Sequence, residues 1–440
     1  MYALIIVAFI VGYTFIALEH VVKVDKAATA IITGVICWTL MVYSGMTFFG
    51  AELAEAGGSF DLAHHLEESL LHHVGDIAEI LFFLLAAMTI VELIDSYQGF
   101  NLVTDSIRTT HKVKLMWMVC FVTFFLSALL DNLTTTIVIA TLLRKLIKEK
   151  DDLWFYGGMV VLAANAGGAW SPIGDVTTIM LWIGGQISAL SIVQQLLAPS
   201  IICLLVPLII LSFTMKGELE RPEETVASGH NIADVTPFEQ RLIFIMGIGG
   251  LLFVPVFKNI THLPPFMGML GSLSVLWITT EVLHRNKSDE DSEGLMVGDI
   301  IRRIDTPSIL FFLGILLAVA GLQTTGILLD FAHVIDKSLG NIYLINLTIG
   351  LLSSIVDNVP LVAGAMGMYS LDTYPQDHHF WELLAYCAGT GGSVLIIGSA
   401  AGVAMMGILR INFIWYLKKL SLLALVGYLA GLVFLYLTAH

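Results

Sequence analysis

Charge is the scarcest ingredient of this chain. Only 13% of its 440 residues are Asp, Glu, Lys or Arg, where a soluble globular domain carries about a quarter. That shortage excludes a large water-facing surface. With repeated apolar stretches of about 20 residues, it leaves an all-α polytopic membrane protein. Basic residues are few, 21 against 36 acidic ones, and the surplus acid sits mostly in loops, so nothing points to nucleic acid. Cysteine is nearly absent. Cys37, Cys120, Cys203 and Cys387 lie inside apolar runs without CxxC or zinc spacing, which reads as small core residues. The N-terminus lacks a basic n-region and a small-residue cleavage site, so Tyr2–Val22 is expected to be a retained first helix.

Two short polar islands stand out against this background. Ser127-Ala-Leu-Leu-Asp131-Asn132-Leu-Thr134 interrupts one apolar stretch, and Ser353-Ser354-Ile-Val-Asp357-Asn358-Val-Pro360 interrupts another. A carboxylate at membrane depth persists where it faces a cavity, an ion or a proton path. A helix cap is the simpler explanation, and both hold at a helix break inside a membrane.

In chain order, Ala27–Phe49 is expected as helix two. The polar stretch 50–76 follows, with His64-His65 and His72-His73 on one helical face. A solvated amphipathic helix accounts for these pairs; a pH sensor or metal site is the sharper alternative. Glu79–Asp95 is helix three. Residues 115–130 and 133–147 are each short for a crossing and form a re-entrant hairpin with Asp131 at its tip. Residues 157–187 form a broken helix, because Gly167, Gly168, Ser171, Pro172, Gly174 and Asp175 interrupt it at mid-depth. Leu190–Met215 ends a first half, 1–215. A cytoplasmic linker, 216–239, leads to a second half, 240–440. That half holds helices at 242–257, 266–283 and 307–325, a hairpin at 341–369, a second broken helix at 380–408 and a closing helix at 413–438.

The halves correspond. Ile80-Leu-Phe-Phe-Leu84 recurs as Ile309-Leu-Phe-Phe-Leu313, Asp131-Asn132 as Asp357-Asn358, and Gly167-Gly168 with Gly174 as Gly391-Gly392 with Gly398. Five crossings per half would invert the second copy, giving inverted-topology repeats with a site at their interface. Placing both termini outside the cytoplasm leaves only Lys258 and Lys337 of the 21 Lys and Arg residues on the outer side, as the positive-inside rule requires.

The mid-membrane donors are Asp131, Asn132, Thr134, Asn165, Asp175, Thr177, Asp357 and Asn358, with Ser127, Ser171, Thr178, Ser353, Thr390 and Ser393 as secondary candidates. All offer oxygen, which suits a hard cation such as Na+ at Asp131, Asn132, Asp175, Asp357 and Asn358. No Lys or Arg is expected at that depth to hold an anion. A carboxylate in low dielectric can hold a proton or a metal cation, each excluding the other. That competition yields cation/proton exchange by alternating access, with no enzymatic step and no cofactor.

The tips and the stretch Ala-Asn-Ala-Gly-Gly-Ala-Trp-Ser-Pro-Ile-Gly-Asp-Val-Thr-Thr, residues 164–178, resemble NhaD-type sodium/proton antiporters of the ion transporter superfamily. The resemblance covers nearly the whole chain. It implies exchange of sodium or lithium for protons, a homodimer in the inner (plasma) membrane, scaffold and transport domains, and cation or proton handling by the eight primary residues. Dicarboxylate relatives carry Ser-Asn-Thr at the tips; both Ser-Asn steps are Asp-Asn here. Ser399 stands where the first copy has Asp175, so the half-sites are unequal. A sodium-coupled carboxylate or oxyanion carrier remains the alternative within transport, and a two-Asp intramembrane protease the alternative outside it.

Overall fold

A computed structural model describes residues 2–17, 22–48, 62–104, 109–219, 235–285 and 294–438. The end of the expected first helix, residues 49–61, most of the linker and the acidic segment 286–293 lie outside the described residues. Among those described, the regular elements are helices, with one isolated bridge between His111 and Glu218. In order they are Tyr2–Ala17 (α1), Lys26–Phe48 (α2), Leu62–Ser96 (α3), Asn101–Thr104 (α4), Lys112–Leu130 (α5), Asn132–Leu146 (α6), Lys150–Gly168 (α7), Val176–Ile183 (α8), Ala189–Thr214 (α9) and Pro237–Thr261 (α10). There follow Pro265–His284 (α11), Val297–Ile301 (α12), Thr306–Thr324 (α13), Ile327–Leu339 (α14), Ile342–Ser353 (α15), Asn358–Met368 (α16), His379–Gly391 (α17), Ala400–Leu409 (α18), Phe413–Lys419 (α19) and Ser421–Thr438 (α20). Among the described residues, eight helices (α2, α3, α5, α9, α10, α11, α13 and α20) are long and apolar enough to cross a membrane, or nine if α18 and α19, bent by 115°, count as one span. The chain is a multi-pass helical membrane protein.

Four expectations about boundaries are corrected. Helix three does not start at Glu79. It runs unbroken from Leu62 for 35 residues and carries the His pairs within it. No proline interrupts it, and the lone Gly75 weakens a helix by only about 1 kcal/mol. Residues 115–130 are not short for a crossing, because α5 begins at Lys112 and reaches 19 residues. The first broken helix begins at Lys150 rather than 157, since Glu149 caps Asp152 N and two acids follow in the first turn. The closing helix is two helices, α19 and α20, parted at Leu420 just after the basic pair Lys418-Lys419.

The chain forms two compact units, and each draws on both sequence halves. The first comprises Met1–Phe82, Asp305–Ile345 and Val359–Pro375. At its centre α2 crosses α13 closely. The Trp38 indole N–H donates to the Leu317 carbonyl at 2.9 Å, and a Cβ on Gly34 would lie 2.9 Å from the Gly314 carbonyl. On α3, His73 Nε2 meets Thr324 Oγ1 at 3.1 Å and packs edge-on against Trp38, while the exposed His72 faces Asp76 at 3.8 Å.

The second unit comprises Phe83–Ile304, Asn346–Asn358 and Gln376–His440. Here the segments aligned in the sequence make matching joints. A Cβ on Gly167 would strike the Phe124 carbonyl, and one on Gly391 the Gly350 carbonyl. Gly174 sits against the Ser127 carbonyl, and Gly398 against that of Ser353. Ser127 Oγ donates to the Ala164 carbonyl at 2.6 Å, as Ser353 Oγ does to the Ala388 carbonyl at 2.8 Å. Small residues thus let backbones meet directly, the usual packing device in a membrane.

Gly314→Val should force α2 and α13 apart and lower the thermal midpoint in detergent, at a cost of about 1–3 kcal/mol. Gly249→Ala, where an added methyl meets nothing within 4 Å, should leave the midpoint unchanged or slightly higher.

Candidate functional site

Three helices of the second unit begin inside the apolar region, and each start is capped by its own chain. Asp131 caps α6 and accepts from Thr134 N at 2.8 Å and Thr134 Oγ1 at 2.9 Å. Its backbone sits at φ 84, a conformation ordinarily left to glycine that costs on the order of 1–3 kcal/mol in another residue. Asp175 caps α8; its Oδ1 accepts from Thr177 N at 2.8 Å and Thr177 Oγ1 at 2.7 Å. Ser399 caps α18 by accepting from Gly402 N at 3.2 Å. These caps form where one helix stops and the next leaves its first N–H groups free, at Gly-rich turns before Asp175 and Ser399 and at the positive φ of Asp131 itself.

Asp175 is the centre of what converges. It is 1% exposed. Asn132 Nδ2 donates to its Oδ2 at 2.5 Å and to Asn165 Oδ1 at 3.0 Å. Asn358 Nδ2 lies 3.4 and 3.5 Å from its two oxygens. Asn165 Nδ2 donates in turn to Ser393 Oγ and Ser399 Oγ, each at 2.9 Å. One network thus joins the two hairpin tips and both broken helices, and the hydrogen-bond donors to the Asp175 carboxylate among the described residues are neutral. Among the described residues no ion pair reaches that carboxylate.

Of the expected site residues, the structure brings together Asn132, Asn165, Asp175, Thr177, Asn358 and Ser393. Asp131 and Asp357 each lie close enough to Asp175 for like charge to be felt, although among the described residues no three His, Cys, Asp or Glu side chains are grouped to hold a metal ion. Asp131 and Thr134 form a local pair at the strained tip. Asp357 precedes Asn358 at the other tip and is half-buried. Five secondary candidates turn their hydroxyls to carbonyls: Ser127 and Ser353 as above, Ser171 on Ala128 at 2.5 Å, Thr178 on Asp175 at 2.8 Å and Thr390 on Tyr386 at 2.6 Å. Ser399 joins the network although it was not among the expected ligands. Its signal was the alignment of Gly392…Gly398-Ser399 with Gly168…Gly174-Asp175.

Chemically the site offers one buried carboxylate, three amides and several hydroxyls. Rotating the amides of Asn132 and Asn358 would turn oxygens, in place of N–H groups, toward a guest beside Asp175. A cation in that position would meet oxygen donors of the kind hard ions prefer.

Comparison with known proteins agrees with this architecture. The family model described as "Citrate transporter" (CitMHS) matches residues 2–383. The chain is 47% identical over 432 residues to "Sodium/proton antiporter 1" of Arabidopsis thaliana, covering 98% of this chain and 71% of that protein. It is 44% identical over 434 residues to "Sodium/proton antiporter 2" of the same plant, covering 98% of each. It is 29% identical over 458 residues to "Na(+)/H(+) antiporter NhaD" of Vibrio cholerae, covering 98% of this chain and 91% of that one. A multi-pass helical chain, doubled helix breaks around a buried carboxylate and a match over most of its length lead to one conclusion: the chain belongs to the citrate transporter family, as an NhaD-type member of the ion transporter superfamily.

Proposed function

We propose that this protein exchanges sodium for protons across a membrane and that the Asp175 carboxylate is the group the two ions share. The observation that carries the reading is the buried Asp175, held by Asn132, Asn358 and Thr177 with no cationic partner among the described residues. A buried carboxylate with other acids near it and no cationic partner needs neutralisation by a proton or a cation. The relatives named sodium/proton antiporters support the same exchange. Lithium, a smaller hard cation, is taken by the same donors.

The amide N–H groups and Thr177 satisfy the ionised carboxylate; a protonated Asp175 instead donates its O–H to an amide turned to offer its oxygen, and when sodium arrives those oxygens face the ion and the proton leaves. Alternating access follows if the pocket reorients only when neutral. The matching joints around Gly167 and Gly391 support two repeats; five crossings in each would invert the second, and the distribution of basic residues along the chain supports that orientation. Asp131 holds the α6 tip in its strained conformation and adds negative charge near the path. The protein works as a homodimer in the cell's inner membrane, with both termini outside the cytoplasm.

A second reading, transport of a carboxylate or oxyanion, rests on the description of the matched family and on the helix starts near the site, which attract anions. Two of those starts are already occupied by Asp131 and Asp175, which favours a cationic guest.

A pH-gradient dye in everted vesicles separates these readings. Sodium should collapse the acid-inside gradient, and citrate should not; a response to citrate alone would favour the anion reading. Asp175→Asn should abolish sodium-driven dye recovery, with membrane insertion and yield retained; wild-type exchange in that variant would remove Asp175 from the site. Protons compete with sodium for one carboxylate, so the apparent KM for sodium should rise as pH falls, and a KM flat from acid to alkaline pH would contradict shared occupancy.

A further inference from the structure

Threonine hydroxyls in these helices regularly close on a carbonyl about one turn back. Thr89 bonds Leu85, Thr123 bonds Val119, Thr141 bonds Val138 and Thr390 bonds Tyr386. Thr135 and Thr136 do not. Both are 0% exposed, and neither hydroxyl has a hydrogen-bond partner among the described residues. A buried hydroxyl left unmatched requires an explanation, and an ion or a water is the usual one.

Their position says which. The tip runs Asp131-Asn132-Leu133-Thr134-Thr135-Thr136. Thr134 spends its hydroxyl on Asp131. Thr135 and Thr136 lie three and four residues beyond Asn132, so they share its side of α6 one turn further along. Asn132 itself is bonded to Asp175. α6 packs against α5, α7 and α18, so the two hydroxyls are enclosed by protein.

The second hairpin supplies a built-in comparison. Counted from Asp357, the positions matching Thr135 and Thr136 are Leu361 and Val362, and Val362 is also 0% exposed. A helix leaving such a tip therefore accepts apolar side chains there, and the hydroxyls of the first copy are not needed to build it.

We propose that the Thr135 and Thr136 hydroxyls form a transit site for the alkali cation, one turn from Asp175 along α6 in the direction of Arg144 and Lys145. This inference rests on the sodium/proton exchange reading above. Hydroxyl oxygens are hard donors that replace part of the hydration shell of a small cation. They are neutral, so they hold the ion loosely and do not compete for the proton. The second copy offers no such pair, so the transit site serves one side of the membrane only.

The test is Thr135→Val/Thr136→Val, which keeps shape and removes both oxygens, assayed in everted vesicles and, purified, for thermal midpoint. The apparent KM for sodium should rise by about tenfold, with the pH dependence of exchange unchanged. The midpoint should stay level or rise, because exchanging an unmatched buried hydroxyl for a methyl relieves the fold. Thr135→Ser/Thr136→Ser should restore the wild-type KM. A wild-type KM in the valine variant overturns the proposal. So does a lowered midpoint or failure to fold, which would show that the hydroxyls are bonded within the protein. A wild-type protein that ignores sodium would instead remove the exchange reading, and the transit site with it.

Discussion

Helix starts buried in apolar surroundings govern this structure. Each start leaves backbone N–H groups that water cannot reach, and each must be matched from within. At Asp131, Asp175 and Ser399 the chain supplies the acceptor itself. Oriented N–H groups favour negative charge, and two of the three caps are carboxylates. The seat that an anionic substrate would take elsewhere is thus filled by the protein's own acid groups. What such a place still lacks is positive charge, and the surrounding amides and hydroxyls are suited to receive it.

The two aligned sets of segments share joints and differ in chemistry. Gly167 and Gly391 meet equivalent carbonyls, as do Gly174 and Gly398, and Ser127 and Ser353 make the same bond. These contacts involve backbone on at least one side and tolerate no added volume. The chemistry-bearing positions diverge. Asp175 corresponds to Ser399, Asn165 to Gly389, and Thr135 and Thr136 to Leu361 and Val362. Of the three acids near the centre, Asp131 and Asp357 match each other at the tips, and Asp175 has no counterpart acid.

Much of this was legible because polar residues are so rare in the chain. Asp131, Asp175, Asn358 and the glycine runs stand out in apolar stretches, and their spacing alone aligned the halves. What the pattern could not separate was ligand from joint. Ser127, Ser171 and Ser353 offer the same oxygen whether they serve an ion or a carbonyl one helix away, and only packing decides. Asp131 reads equally as cap and as ligand, and its hydrogen bonds to Thr134 come from the local register. The start of α3 was hidden for a different reason: His, Glu and Asp imitate a loop, yet nothing in residues 62–78 breaks a helix.

The length of α3 has a consequence of its own. At about 1.5 Å per residue, its 35 residues reach roughly 50 Å, against about 30 Å for the hydrocarbon slab. A tilt of about 40° still leaves roughly two turns clear of the lipid. The exposed side chains His64, Glu67, Glu68 and His72 on its first turns fit that setting. Its exposed first turns offer a place to attach a fluorophore or a binding epitope without touching the candidate ion site.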